Sequence, residues 1–325
     1  AVIPLLRRAR VVDVPGDRSL HRTPVPRGGG LAIVLAASLA TWTAVLAAVH
    51  LQGAVHAMSG VDVALMGLAT VLAFALLGLI EDLFSVSVRT RLVLQLVLGA
   101  GLGLVAHSAF EVSLWWTPAI CVGTAALVNA TNFMDGANGL ACGHALLTSL
   151  WYVQVAAVAP VAGLGLVMVS VAGACLGFLP FNTPRAKVFL GDSGSYALGS
   201  AWAFAMTACL SRGVAVEAAL APVLVLLADT GYTLWMRLRA GQCWYAPHRL
   251  HVYQRLVCAG WPHWASALLV TLAAAACSAL AASSLLTSNR LWMPQVAMAA
   301  VLIVYLKMPS IIGAPNPFPT LRRAR

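Results

Sequence analysis

The stretch Val63-Ala-Leu-Met-Gly-Leu-Ala-Thr-Val-Leu-Ala-Phe-Ala-Leu-Leu-Gly-Leu-Ile80, closed by Glu81-Asp82, decides the fold class of this chain. It carries no charge and, as a helix, extends about 27 Å, close to the hydrocarbon thickness of a bilayer. Outward from it, runs of the same kind fall near residues 29–50, 63–80, 92–110, 114–131, 139–158, 160–179, 189–210, 214–236, 265–287 and 291–308. Ten such helices leave no stretch for a sizeable soluble domain. The chain therefore reads as a single all-α polytopic membrane domain over residues 1–325, with cytoplasmic loops at 1–28 and 237–264.

The composition agrees: 61% of the 325 residues are hydrophobic and 9% are charged, far from globular usage. Disorder, a disulfide scaffold and a coiled coil are excluded on the same ground. Seven cysteines lie singly in apolar segments with no metal-ligand spacing, and an odd, scattered set of this kind reads as reduced thiols. Residues 1–28 carry six arginines and no apolar region long enough for a secretory signal.

Charge sets the orientation. Of the 20 basic residues, 18 fall before the first span, at Arg89 and Arg91, at Arg185 and Lys187, between Arg237 and Arg255, and after residue 306. If the spans alternate, all of these share one side, and the other side holds only Arg212 and Arg290. The positive-inside rule then places both termini in the cytoplasm. A net charge of +10 confined to one membrane face suits anionic headgroups rather than nucleic acid.

The ten acids are informative, because a carboxylate at membrane depth costs at least about 2.5 kcal/mol and is retained for a reason. Asp13 and Asp17 read as solvated loop charges. Glu81, Asp82, Asp135, Asp192 and Asp229 come from four helices and converge on the cytoplasmic side. Each alone could neutralise an arginine, but adjacent carboxylates at Glu81 and Asp82 repel unless a cation intervenes. Mg²⁺ accounts for such an oxygen-rich cluster, with Mn²⁺ as the substitute ion.

Two polar, glycine-bearing stretches flank these acids: Asn129-Ala-Thr-Asn132-Phe-Met-Asp135-Gly136-Ala-Asn138-Gly139 and Gly191-Asp192-Ser193-Gly194-Ser195. The second, opening a helix, is expected to present free N–H groups to a phosphate, with close helix packing as the plainer reading of its glycines. No GxGxxG or GxxxxGK[ST] follows a strand, so a soluble nucleotide fold does not fit. In the longest hydrophilic insert, His248, Arg249, His251 and Arg255 are amphipathic in neither regular period and point to capture of an anionic group rather than to zinc.

Taken together, these motifs resemble the polyprenyl-phosphate N-acetylhexosamine-1-phosphate transferases. The resemblance runs through Arg18-Ser-Leu-His21-Arg-Thr-Pro24-Val-Pro26-Arg27-Gly-Gly-Gly30, Gly78-Leu-Ile-Glu81-Asp82 with Arg89 and Arg91, the two polar stretches and the His248–Arg255 segment, in the family's order. Where the family has Asp-Asp this chain has Glu81-Asp82, and where bacterial members have Asp-Gly-x-Asp-Gly it has Asp135-Gly-Ala-Asn138-Gly. The histidine segment looks like that of the subgroup initiating O-antigen and related surface polysaccharides, and lacks the triple histidine of the muramoyl-pentapeptide translocase.

The resemblance implies transfer of an N-acetylhexosamine-1-phosphate from a UDP-sugar to polyprenyl phosphate, with release of UMP, at the cytoplasmic face of a bacterial inner membrane. It implies Mg²⁺ on Asn132 and Asp192, a catalytic set of Asp82, Asp135, Asp192 and His251, and substrate contacts from His21, Arg91, Asn129, Asn138, His248, Arg249 and Arg255. Asn138 and Asp135 would address the uridine. The partners are the UDP-sugar, the polyprenyl phosphate, membrane lipids and, as an assembly, a homodimer. Because a phosphate monoester is mostly dianionic at pH 7, direct displacement is expected over a phospho-aspartyl intermediate. A transporter or flippase is the rival reading, but its acids would sit near the midplane, whereas here all but Asp229 lie at helix ends. A lipid-binding scaffold without chemistry would not need the asparagines. The family also begins with a helix before the arginine-rich loop, so about 20 further apolar residues are expected upstream of residue 1.

Overall fold

A computed structural model describes residues 2–8, 11–15, 20, 23–52, 54–84, 86–159, 161–286 and 292–315. The short helix α1 (Val2–Arg8) leads into an antiparallel ribbon of β1 (Val12–Asp13) and β2 (Val25–Pro26), in which Val12 faces Pro26 and Asp13 faces Val25. Long helices follow: α2 (Gly30–Gln52), α3 (Ala54–Phe84), α4 (Val88–Phe110), α5 (Thr117–Phe133), α6 (Leu140–Val158), α7 (Leu164–Asn182) and α8 (Gly191–Ser211). The chain closes with α9 (Val216–Leu220), α10 (Leu224–Arg239), α11 (Val252–Cys258), α12 (His263–Ala281), α13 (Ser283–Leu286) and α14 (Met293–Ile311).

The all-α expectation holds apart from the ribbon. Among the described residues, eight helical segments are long and apolar enough to cross a membrane, against the ten read from sequence. The two outside that set are α5, with 17 residues, and α8. The reason for α8 is its position: packed by α2, α3, α5 and α6, it is buried on every side from Gly191 to Ala205. A helix screened from lipid by other helices can carry Asp192, Ser193, Ser195 and Ser200 without the solvation cost a lipid-facing helix would meet. Two loops also hold more structure than expected, since α1 and the ribbon occupy part of 1–28 and α11 part of 237–264.

The central helix is approached at glycine. A Cβ on Gly78 of α3 would fall 2.2 Å from the carbonyl oxygen of Asp192, and one on Gly30 of α2 would fall 2.2 Å from the Cα of Gly194. These glycines therefore let three helices meet backbone to backbone, the small-residue packing usual in membranes.

One span is broken. Pro222 lacks the N–H that would reach Ala218, and a 3-10 turn, Ala221–Val223, separates α9 from α10. The freed carbonyls are recovered by α6: Trp151 Nε1 donates to Ala218 at 2.8 Å, Tyr152 Oη to Ala219 at 2.7 Å and His144 Nε2 to Pro222 at 2.8 Å. Backbone groups released at membrane depth need such partners.

Loops gather at one end of the bundle. The strap 26–30 runs beside 189–190, with Gly29 N donating to Phe189 O at 2.9 Å, Gly30 N to Leu190 O at 2.7 Å and Phe189 N to Pro26 O at 2.8 Å. Glu81 meets Arg91, Asn138 meets Pro184, and Tyr253 Oη donates to Phe133 O at 2.9 Å. The segments that sequence assigned to one face thus do share one end.

Candidate active site

At that end a cavity of about 430 Å³ is lined by Arg27, Asn132, Asp135, Asn138, Asp192 and Gln254, among others. Three elements bring its chemistry together. The last turn of α5 supplies Asn132, the turn after it supplies Asp135 and Asn138, and the first turn of α8 supplies Asp192.

Asp192 is held from two sides. Its Oδ1 accepts from Asn132 Nδ2 at 2.7 Å, and its Oδ2 lies 2.8 Å from Arg27 Nη2. Asn132 Nδ2 also reaches Ser195 Oγ at 3.0 Å, which fixes the amide against α8. Arg27 continues to Asp82, with Nε 2.9 Å from Oδ1.

Asp82 itself is only 1% exposed and does not line the cavity. Its Oδ1 accepts the backbone N–H of Asp192 and its Oδ2 that of Ser193, both at 3.0 Å. The expectation of free N–H groups offered to a phosphate at this helix start is thereby corrected: two of them are taken by an anion from α3, which also meets the positive end of the helix dipole. Gly191, at φ +78°, makes the approach possible, since a Cβ there would lie 2.8 Å from Asp82 Oδ2.

The five acids expected at one interface divide. Asp82, Asp135 and Asp192 form one group. Glu81 turns away to accept from Val86 N at 3.1 Å and to pair with Arg91 at 3.4 Å, so it holds the corner between α3 and α4. Asp229, fully buried on α10, accepts from His251 Nδ1 at 3.1 Å, from Val252 N at 3.0 Å and from Tyr305 Oη at 2.8 Å. It anchors the start of α11 to α10 and α14.

The histidine segment is correspondingly fixed rather than free to swing. His251, 3% exposed, stacks on Phe133 and Tyr253 as well as pairing with Asp229. His248 sits 5.0 Å from it, ring to ring. Burial, with His251 and Arg237 nearby, pushes the His248 imidazole down to about 4, so it is neutral at pH 7 and not the cation the sequence suggested. Arg255 Nη2 donates to Pro315 O at 3.3 Å. His248, Arg249, His251 and Arg255 are not part of the cavity lining, to which this segment contributes Gln254.

Other expected contacts also lie off the wall. Asn129, one turn before Asn132, gives its amide to the fully buried Gln95 and to Ala125 O, and Arg91 is occupied by Glu81. Asn138 lines the cavity, with Nδ2 on Pro184 O at 3.2 Å. His21 lies outside the described residues.

The electrostatics of the cavity are unbalanced. Burial, and then the carboxylates of Asp192 and Asp82, hold the Asp135 carboxyl well above the usual range, with Arg27 opposing. Burial works against the Arg27 charge, but Asp192 and Asp82 outweigh it and raise its pKa. Four acids, Asp82, Asp135, Asp192 and also Asp13, which lines the cavity rather than standing as a solvated loop charge, thus surround one guanidinium. Among the described residues no set of three or more His, Cys, Asp or Glu is grouped to hold a metal. The hard oxygen donors Asp192, Asp135 and Asn132 fit a cation of the Mg²⁺ type, which takes one or two carboxylates and completes its shell with water and phosphate.

Sequence comparison is decisive at this point. A family model described as glycosyl transferase family 4 matches residues 64–210, the segment holding Asp82, Asn132, Asp135 and Asp192. The decaprenyl-phosphate N-acetylglucosaminephosphotransferase of Mycobacterium leprae is 31% identical over 307 residues, covering 82% of this chain and 75% of that one. The chain belongs to glycosyl transferase family 4.

It is accordingly an enzyme of a phosphoglycosyltransferase family, embedded in a membrane by several passes. A probable undecaprenyl-phosphate N-acetylglucosaminyl 1-phosphate transferase of Bacillus subtilis is 27% identical over 290 residues, 83% of this chain and 77% of that protein. The phospho-N-acetylmuramoyl-pentapeptide-transferase of Desulforudis audaxviator is 32% identical over 235 residues, 61% of this chain and 68% of that protein.

Sequence reasoning assigned no role to Arg27, although Pro26-Arg27-Gly28 stood in a quoted motif, nor to Asn182, whose amide bridges Gly139 N and Val188 O at 2.8 and 3.0 Å. Arg237 was also missed. Only 3% exposed, it draws in the carbonyls of Cys243, Trp244 and Ala246 and so shapes the loop before His248.

Proposed function

We propose that this family 4 enzyme transfers an N-acetylhexosamine-1-phosphate from its UDP-sugar to polyprenyl phosphate, releasing UMP, on the cytoplasmic face of a bacterial inner membrane. One observation carries the reading: Asp192, Asn132, Asp135 and Arg27 converge on a cavity at the membrane end that bears the arginines. A transferase of this kind must neutralise several phosphates and hold them in line. The hexosamine reading is preferred to a muramoyl-pentapeptide donor because the glucosamine-type relative matches over 82% of the chain and the pentapeptide-type relative over 61%. Initiation of an O-antigen or related surface polysaccharide is the proposed place of the product.

Asp192 and Asn132 would hold Mg²⁺, with Asp135 beside them. When bound, the ion supplies Lewis-acid neutralisation of the donor diphosphate. The rest falls to the chain. Arg27 offers a planar fork to phosphate oxygens. Asn138, whose amide can both donate and accept, addresses the uracil edge. Asp82, engaged by two backbone N–H groups and Arg27, supports Asp192 and Arg27 from behind. A carboxylate so occupied is a poor nucleophile, which favours direct attack by the acceptor phosphate over a phospho-aspartyl intermediate.

The test is UMP release by the purified chain with Mg²⁺, undecaprenyl phosphate and a panel of donors comprising UDP-N-acetylhexosamines and UDP-N-acetylmuramoyl-pentapeptide. Release with an N-acetylhexosamine donor and none with the pentapeptide donor is expected. The reverse pattern would move the chain to the other substrate class.

A further inference from the structure

Asp192, the residue assigned above to the metal, already has a cation within the chain. Arg27 spans it and Asp82 with one fork, Nη2 at 2.8 Å and Nε at 2.9 Å. The two ends differ in setting: the Asp82 side chain is 1% exposed and lies off the cavity, while that of Asp192 is 12% exposed and lines the cavity together with Arg27. The backbone on either side of Arg27 cannot follow the side chain, because Pro26 O, Gly29 N and Gly30 N are bonded to Phe189 and Leu190. Only the guanidinium head is therefore free to change partner, and its Asp192 end borders the cavity, where an incoming group can reach it. A divalent cation on Asp192 would repel a guanidinium sharing the same carboxylate a few ångströms away. A diphosphate would attract both.

We propose that Arg27 is the resident counter-cation of the donor site: it neutralises Asp192 until donor and metal enter together, then yields Asp192 to the metal and turns its Nη end onto a donor phosphate oxygen while Nε stays on Asp82. No bond is made or broken in this exchange; one ion pair replaces another. The proposal rests on the reading of Asp192 as a metal ligand. Its consequence is coupling: metal and donor each bind better in the presence of the other, and the part of that coupling owed to Arg27 disappears with it.

The experiment measures Mn²⁺ affinity by electron paramagnetic resonance in detergent, with and without UDP-N-acetylglucosamine and with no polyprenyl phosphate, so that no turnover occurs. The parent should bind Mn²⁺ weakly alone and more tightly with the donor. Arg27→Gln should bind Mn²⁺ alone at least about tenfold more tightly than the parent, ~1.4 kcal/mol, with a smaller gain from the donor. Arg27→Lys, which keeps the charge but not the fork, should fall between and serves if the glutamine variant does not fold. Arg185→Gln removes an exposed positive charge and should change nothing. Mn²⁺ binding that depends on Asp192 but is no tighter in Arg27→Gln than in Arg185→Gln overturns the counter-cation and leaves the metal assignment standing. Mn²⁺ binding in the parent with donor that Asp192→Asn does not weaken overturns both.

Discussion

The Asp82 carboxylate closes the start of the helix that carries Asp192, with its Oδ1 3.0 Å from the Asp192 backbone nitrogen. One acid thus positions another. Because Gly78, a turn earlier on α3, touches the Asp192 backbone directly, the register between α3 and α8 is set at the same place as the chemistry.

Asp82→Ala should therefore act through position. It removes a helix cap, about 1 kcal/mol, and the partner of Arg27 as well. Thermal unfolding in detergent should move to lower temperature, and turnover should fall while keeping its dependence on Mg²⁺. Phosphate covalently trapped on Asp82 of the parent during turnover would contradict the placement.

Gly78→Ala should be more damaging than its one added carbon suggests. That carbon would lie 2.2 Å from a backbone oxygen that cannot give way, whereas Gly101, with nothing within 4 Å, offers a control. Overpacking of this kind costs about 1–3 kcal/mol. Equal unfolding temperatures for Gly78→Ala and Gly101→Ala would show that α3 and α8 are not in contact there.

Asp229→Asn and Tyr305→Phe test the anchor beneath the histidine segment. Tyr305 gives Asp229 one hydrogen bond, so its loss should cost about 1 kcal/mol. Asp229→Asn removes the charge that faces His251 and should lower turnover further. Kinetics with both variants indistinguishable from the parent would leave His251 without this support.

Acid should expose His248. Its folded-state pKa, about 4, lies below the ordinary histidine value, so the unfolded chain binds the extra proton first as pH falls. Its contribution is fully present above about 6.5 and is lost towards 4. Asp135, raised instead, acts with the opposite sign, so the parent alone is ambiguous. The stability difference between the parent and His248→Gln isolates the histidine. It should shift in favour of the glutamine variant as pH drops from 7 to 5, and a difference independent of pH would place the imidazole in water.

The membrane class was legible because hydrocarbon thickness demands long apolar runs, and no soluble context imitates the eight found among the described residues. What the sequence did not distinguish was burial from lipid: 189–210 read as one more apolar run, whereas α8, with its serines and aspartate, is surrounded by other helices rather than acyl chains. The site was legible as a set of residue types in loops. Which residues touch was not: Asp82 and Asp192 stand 110 residues apart, Asp229 and Tyr305 stand 76 apart, and no local pattern encodes such pairs. Intramembrane Asp229 was at least flagged by its cost. Arg27 carried no comparable signal, since an arginine in a basic loop is adequately explained by topology.

The most direct measurement is UMP release from a UDP-N-acetylhexosamine in the presence of undecaprenyl phosphate and Mg²⁺, comparing the parent with Asp192→Asn. The substitution removes the charge from Asp192 while keeping its shape and its place beside Asn132. Turnover should fall by far more than tenfold, about 1.4 kcal/mol in transition-state terms, with the protein still folded. Mg²⁺-dependent turnover within about tenfold of the parent would contradict the account.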